Sequence, residues 1–293
     1  MSRRDRMKGR AAPHADDWEV IYLFASDGNI STILWKYYIM SKRGSREVWS
    51  SGANWRSAHD YRALLRADRR AFAWEWIRRH PPYRAAWRER HRPPTAFGLL
   101  AYEDPHRATP DARPIWSADT DPRVLGSNPL AKRGQDTDLF DVRLVASKVS
   151  IAIEDNVEHW LISDGLWMVR LDLLDGTLLG GPTLLEHRLV GFDSAEAKIS
   201  ALRQLSALAH RGDLPPSLRP REIRAPRWVL ELRTADALAV GASQQQMARS
   251  FFGTMVVGKN WRVENASYRL RIRRLVRLAR KYLDDPFQGP WFR

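Results

Sequence analysis

Residues 268–282 read YRLRIRRLVRLARKY and carry the densest basic chemistry of the chain. At the spacing of an α-helix, one narrow face collects the apolar and aromatic side chains Tyr268, Ile272, Leu275, Ala279 and Tyr282. A second set is basic, with no Asp or Glu in the segment: Arg269, Arg273, Arg277 and Arg280 line another face, and Arg271, Arg274 and Lys281 add to the charge. We call this second set the basic stripe.

Like charges four residues apart destabilise an isolated helix by about 0.2–0.5 kcal/mol per pair, so the basic stripe needs a stabilising partner. Guanidinium and ammonium groups bind phosphates, which makes double-stranded DNA the expected partner. Two other interpretations are a solvated helix face and a surface for an acidic protein. Runs of charge are usually solvated, but a run of this length without an acidic residue favours DNA.

The chain has 293 residues and a formal net charge of +14, which favours an anionic partner, either nucleic acid or an anionic membrane surface. An apolar content of 44% argues against disorder for most of the length. The absence of cysteine excludes disulfides and thiolate-bound metals and is consistent with a reducing cytoplasm. The apolar stretch at residues 30–40 is interrupted by Lys36 and is too short to span a bilayer. We therefore expect a cytoplasmic protein without a membrane partner.

Two helices are predicted to support the basic stripe. The first covers residues 227–240 and ends at Gly241, and the second covers residues 243–252 with Ser243 as its N-cap. The second helix has an apolar face made of Met247, Ala248, Phe251 and Phe252.

Gly253 is predicted to break the chain before the basic helix, for which Ser267 is the expected N-cap. This order of elements is that of a helix-turn-helix whose last helix enters the major groove and supplies both phosphate contacts and base readout. The stretch between Gly253 and Ala266 is longer than a three-to-four-residue turn, which indicates a winged or elaborated variant.

The rest of the chain predicts an α+β fold. Residues 139–192 contain short runs rich in Val, Ile, Leu and Trp between Asp-Asn and Asp-Gly turns, which predict a small antiparallel sheet. Ser194 is expected to open a helix that stops at Gly212, with Ile199, Leu202, Leu205 and Ala209 on its inner face.

The N-terminal half divides into three segments by pattern. Residues 51–92 predict a helical module, with Ser57 capping a helix that carries Tyr61, Leu64 and Leu65, followed by a helix that stops near Pro81. Residues 93–138 are rich in proline and predict an irregular connector. Residues 1–50 are an uncertain extension, either a short strand pair or the product of a start codon placed too early. Residues 139–293 form the fourth unit, which holds the sheet and the helix-turn-helix.

The tract RWVLELRTADALAVGASQQQMARSFFG, followed by Trp261 and LRIRRLVRLAR, resembles the DUF2285 family, a helix-turn-helix variant of proteobacterial mobile elements. The resemblance extends back to about Leu178. The tract AFAWEWIRRHPPYRAAW similarly resembles the transcriptional-regulator-like domain DUF6499. Both modules together resemble the excision activators of integrative and conjugative elements.

This resemblance implies a sequence-specific DNA-binding transcriptional activator of mobile-element genes. It also implies RNA polymerase or a small antiactivator protein as a further partner, with a role for the N-terminal module in touching DNA or polymerase. DUF2285 proteins include small antiactivators, so the alternative is a protein-interaction module that sequesters a related activator.

No enzyme motif is found: HExxH, GxSxG and a Gly-rich phosphate loop are all missing. Two groups of carboxylates have the chemistry to bind a metal, namely Asp119 with Asp121, and Glu154 with Asp155 and Glu158. Loop carboxylates are far more often turn formers or solvated charges. The sequence therefore predicts a non-enzymatic protein with no metal site and no cofactor.

Overall fold

In the computed structural model, the described residues are 20–23, 35–37, 49–130, 136–253 and 266–293. They form an α+β fold, as predicted, with an N-terminal helical region, a sheet, and a C-terminal helical region. The α-helices are α1 Arg69–Ile77, α2 Pro81–Glu89, α3 Asp193–Arg211, α4 Ala225–Ala239, α5 Gln244–Phe252 and α6 Ala266–Asp284. The strands are β1 Val20–Leu23, β2 Trp35–Tyr37, β3 Leu125–Leu130, β4 Leu139–Phe140, β5 Val149–Glu154, β6 Val157–Ser163, β7 Met168–Leu173 and β8 Thr183–Arg188.

The sheet has the strand order β2-β1-β5-β6-β7-β3-β8-β4. Its centre is the antiparallel meander β5-β6-β7, whose first turn consists of Asp155 and Asn156 with φ of 46° and 66°. A two-residue hairpin loop with two positive φ angles matches the right-handed twist of its strands, so Asp-Asn suits this turn. The predicted hairpin signal is therefore present in the structure.

The strands of residues 139–192 pair antiparallel with one another, as predicted, and β3 adds a parallel pairing that the sequence did not predict. β3 lies between β7 and β8, and it pairs parallel to β7 and antiparallel to β8, so the sheet is mixed. β3 reads LGSNPL and lies in the segment predicted as a connector. Gly, Asn and Pro are uncommon in strands, so no strand is predicted at this position. The strand forms because β7 and β8 lie on either side of it.

The beginning of the chain contributes to the same sheet. β1 pairs with β2 and with β5, each time antiparallel, at the edge away from β3. This pairing agrees with the strand-pair interpretation of residues 1–50. The remaining residues of that segment lie outside the described part of the chain.

The N-terminal helices differ from prediction at their start. Residues Ala58–Arg66 form a 3₁₀ helix, the Ser57 side chain caps no backbone N–H, and Leu65 is 47% exposed. Asp68 caps α1, since its carboxylate accepts hydrogen bonds from the backbone N–H groups of Arg70 and Ala71. Sequence reasoning missed this cap.

The next two elements follow the sequence signals. α1 ends at Ile77, before the proline pair, as predicted. α2 then begins at Pro81, where a proline costs little because the first helical residues need no N–H partner.

The proline-rich segment is irregular but well packed. Leu99, Leu100 and Trp116 are buried, and Leu99 forms an isolated bridge with Trp116. These residues belong to the same core cluster as α1, α4 and α6. The division of the chain into four units stays a prediction.

α3 packs on the sheet, over a second cluster of buried apolar side chains that lies between the two. It stops at Gly212, which adopts a φ of 67°, as predicted. Its buried residues include Ala201, Leu205 and Leu208, whereas Ile199 is 41% exposed, so the predicted inner face is rotated. Ser194 lies in the first turn and does not cap the helix, since its hydroxyl donates to the carbonyl of Val190.

In the part of the chain that the structure describes, no helix combines the length and the apolar character needed to cross a bilayer.

Candidate nucleic-acid interface

The joint between α4 and α5 is short and well defined. Residues 240–243 separate the two helices, and Gly241 within this turn adopts a φ of 70°, a conformation that favours glycine. The Ser243 hydroxyl accepts a hydrogen bond from Gln246 N at 3.2 Å, and the Gln246 side chain accepts one from Ser243 N at 2.7 Å. This capping box fixes the start of α5, as the sequence predicted for Ser243.

α5 packs on α4 and α6 through one face. Met247 and Ala248 are completely buried in a cluster with Ala237 of α4 and with Ile272 of α6, while Phe251 is half-buried. The predicted apolar face of α5 is therefore confirmed. Away from this face, Gln244, Gln246 and Arg249 are exposed.

α6 has the two faces that its sequence predicts. The buried side comprises Ile272, Leu275, Val276, Ala279 and Tyr282, and Tyr268 is half-buried at the start of the helix. The predicted N-cap is wrong, because α6 is already helical at Ala266 and Ser267 lies within its first turn. The predicted wing between α5 and α6 falls on residues 254–265, which lie outside the described residues.

The basic stripe lies away from the packed side of α6. Six of its side chains are exposed, namely Arg271, Arg273, Arg274, Arg277, Arg280 and Lys281, and Arg269 is half-buried. Counting only residues that the structure describes, no carboxylate forms a salt bridge with any of the seven. An array of cations without internal counter-ions is suited to a polyanion. Contact of these residues with DNA stays a prediction.

A row of aromatic rings joins three segments beside this surface. Trp55, Phe251, Phe252 and Tyr268 follow one another with ring centroids 6.1, 6.3 and 5.0 Å apart. The Arg271 guanidinium lies over the Phe252 ring at 4.7 Å, which holds one member of the basic stripe beside the end of α5.

Segment 54–57 is anchored to α4 by a single arginine. Arg233 Nε donates to Trp55 O at 2.9 Å, and its Nη2 donates to Arg56 O, also at 2.9 Å. The same guanidinium lies 4.6 Å from the Phe251 ring centroid. Segment 54–57 is thereby held against the helix-turn-helix.

A buried ionic network joins the N-terminal helices to α4. Asp236 accepts two hydrogen bonds from Arg79, at 2.9 and 2.8 Å, and one from the Tyr61 hydroxyl at 2.6 Å. Arg79 also donates to the Glu75 carboxylate, which receives a further bond from Arg78 at 2.8 Å. Every charge in this network therefore has a charged partner in the interior, as buried charges require.

The arginines of this network lower the pKa of the Glu75 carboxyl group. Burial by itself raises the pKa of Glu75, but the positive charges of Arg78 and Arg79 outweigh it, and a hydrogen bond from Thr109 N assists them. The pKa of Glu75 falls from 4.5 to about 2. Sequence reasoning missed this network, although Arg78 and Arg79 follow Glu75 at helical spacing.

Two of the five carboxylates with the chemistry to bind a metal have other partners. Asp121 accepts from Arg70 at 2.9 Å, and Glu158 accepts from Trp160 Nε1 at 2.8 Å. Over the described ranges, no group of three or more acidic or histidine side chains is placed to hold a metal ion.

Comparison with known families assigns the two helical regions. Residues 54–116 match the model of the proteobacterial transcriptional regulator-like domain. Residues 189–285 match the model described as "T6SS, Transcription factor, DNA binding domain". The two matches indicate a transcriptional regulator with a DNA-binding domain. No curated protein and no solved structure matches the chain.

The second match covers α3, α4, α5 and α6, and therefore the whole basic stripe. The first match covers segment 54–57 and the N-terminal side of the buried network. The two regions are in direct contact, because Arg79 lies in one match and Asp236 lies in the other.

Proposed function

We propose that the protein regulates transcription by binding duplex DNA through the basic stripe of α6, with α5 beside it. The observation that carries this proposal is the set of basic side chains on α6, of which six are exposed and none forms a salt bridge with a described carboxylate, within the segment that matches a DNA-binding domain. The opposite face of α6 is buried against α4 and α5, so the stripe is presented on a supported helix.

The physical consequence is a binding reaction driven in large part by counterion release. The logarithm of DNA affinity should fall linearly with the logarithm of salt concentration. Each phosphate that an Arg or Lys neutralises contributes about −0.9 to the slope. Removal of one contact should make this slope shallower by about 1.

At a finer level, we propose a transcriptional activator of mobile-element genes that acts in the cytoplasm. The resemblance to DUF2285, to DUF6499 and to excision activators of integrative and conjugative elements supports this role. The same resemblance supports RNA polymerase or a small antiactivator protein as a second partner.

The alternative function is an antiactivator that sequesters a related activator through protein contacts. An exposed apolar run ahead of α3 favours it: Leu189 is 41%, Val190 58% and Phe192 97% exposed. Apolar side chains clustered on a surface mark protein-interaction sites more often than DNA contacts.

The experiment combines Arg273→Ala with Arg277→Ala and measures binding to genomic fragments recovered with the wild-type protein. The proposal expects loss of DNA binding with nearly unchanged thermal unfolding, because both side chains are exposed. Arg203→Ala is the matched control, since Arg203 is exposed on α3, which packs on the sheet. If the double variant keeps its DNA affinity, and Phe192→Ser abolishes binding to an activator of the same family, the sequestration function is correct.

A further inference from the structure

We infer that α5 is the helix that reads base edges, while α6 and Arg56 hold the phosphate backbone on either side of it. This inference rests on the proposed function, and it assigns sequence discrimination to a helix other than the most basic one.

The connection lengths identify α5 as the second helix of the helix-turn-helix. In that motif the two helices are joined by three or four residues, and the second enters the major groove. Only residues 240–243 separate α4 from α5. Between α5 and α6 lie residues 253–265, which is more than the three or four residues that join the helices of the motif.

The outward side chains of α5 have the chemistry of base recognition. Gln244 and Arg249 are exposed, and Gln245 is half-buried. Glutamine can form paired hydrogen bonds with adenine, and arginine can form them with guanine, both in the major groove. Gln246 is a poorer candidate because its side chain is engaged in the capping box with Ser243.

These side chains are available to a ligand. Within the described residues, neither Gln245 nor Arg249 has a hydrogen-bond or salt-bridge partner for its side chain. Gln245 lies in the first turn of α5, and the N-terminal residues of a recognition helix are the ones that contact base edges. Arg249 lies in the last turn of the same helix, where its side chain is exposed. The basic stripe, in contrast, consists only of Arg and Lys, which is the composition of a phosphate-contacting surface.

Two exposed guanidinium groups lie near the last turn of α5, and they come from different segments. Arg271 of α6 stacks on Phe252 at 4.7 Å. Arg56 stacks on Trp55 at 4.2 Å, and the Trp55 ring contacts Phe251 with centroids 6.1 Å apart.

A helix in the major groove lies between two phosphate backbones, so cations next to it are placed to contact them. Stacking on a ring holds each guanidinium in position and reduces the entropy lost on binding. Arg56 belongs to the N-terminal family match, so the DNA-contacting surface extends beyond the matched DNA-binding domain.

The test selects preferred duplexes from a random-sequence pool with the full chain. Affinity is then measured for a selected duplex and for a scrambled duplex of the same composition, at several salt concentrations. The variants are Gln245→Ala with Arg249→Ala on α5, Arg273→Ala with Arg277→Ala on α6, and Arg56→Ala alone. Arg203→Ala is the control for the loss of one positive charge elsewhere on the protein, as in the α5 variant and in Arg56→Ala. Circular dichroism and thermal unfolding check the fold of each variant.

The α5 variant should lose its preference for the selected duplex by about tenfold or more and keep most of its affinity for the scrambled one. The α6 variant should lose affinity for both duplexes to a similar extent. Arg56→Ala should make the salt slope shallower by about 1 without changing the preference.

Retained preference in a folded α5 variant, together with lost preference in the α6 variant, overturns the inference and assigns base readout to α6. A wild-type protein that binds both duplexes equally also overturns it, but leaves the proposed DNA-binding function intact. A wild-type protein that binds neither duplex overturns both. An unchanged salt slope in Arg56→Ala removes Arg56 from the interface.

Discussion

The arginines around α1 and the arginines of α6 have the same side chain and opposite surroundings. Arg70 and Arg79 are 2% and 3% exposed, and carboxylates bind both of them. Arg273 and Arg277 are exposed and have no salt-bridge partner among the described residues. The first group therefore stabilises the fold, whereas the second is available to a ligand, and mutations in the two groups should separate stability from DNA binding.

The largest effect on stability is expected from Asp236→Ala. The substitution leaves Arg79 buried with only Glu75 as its charged partner, and loss of one partner of a buried ion pair costs about 3–5 kcal/mol. The free energy of unfolding from urea titration measures the effect. Glu186→Ala is the control, because Glu186 is exposed on β8. A loss no larger than that of the control would show that the network does not hold the two regions together.

Met247→Ala should have the next largest effect. Met247 is fully buried where α5 meets α6, so the cavity and the lost apolar contact should cost about 2–5 kcal/mol. Phe252→Ala is the matched comparison, and it should cost less because Phe252 is half-buried. Met247→Ala should therefore lower the free energy of unfolding more than Phe252→Ala does. A larger loss in Phe252→Ala would contradict the packing of α5.

The pH dependence of stability should sharpen the comparison further. The pKa of Glu75 is about 2 in the folded protein and 4.5 ordinarily, so the folded state favours the charged form. Its stabilising contribution is present above about pH 4.5 and is lost as pH falls towards 2. Glu75→Gln should be less stable than wild type near neutral pH, and the difference should shrink with acidification. A difference independent of pH would mean that Glu75 does not act through its charge.

The smallest effect on stability is expected for the basic stripe. Arg277→Ala should change the free energy of unfolding by no more than about 0.5 kcal/mol, while Arg79→Ala should cost several times more. DNA affinity at low salt should respond to Arg277→Ala when both proteins are folded. Similar destabilisation by the two substitutions would remove the distinction between the two groups of arginines.

The local features of the helix-turn-helix could be predicted well. The spacing of apolar residues in 268–282 predicts the buried side of α6. Ser243 predicts the start of α5, and Gly241 predicts the end of α4. These features depend on neighbours a few residues away, which a sequence displays directly. Ser57 and Ser267 show the limit of such signals, because a serine before an apolar run caps a helix only when the helix begins at the next residue and the serine hydroxyl reaches a backbone N–H.

Other features depend on residues far apart in the chain. β3 has a weak strand sequence, and it pairs with β7 and β8 because the fold places it between them. The bond from Arg79 to Asp236 spans 157 residues, and neither residue differs in type from the many solvated charges of the chain. Segment 54–57 reaches the helix-turn-helix through Arg233 in the same manner.

The sequence alone determined the α+β class, the amphipathic basic helix and the capped helix before it, because composition and short-range periodicity dictate them. Only the tertiary structure decided which arginines are buried and which are exposed. It also decided that two family-matched regions share one core, and that Arg56 lies next to α5. The physical reason is that burial and ion pairing depend on long-range packing, and a charged residue in the sequence carries no sign of its distant partner.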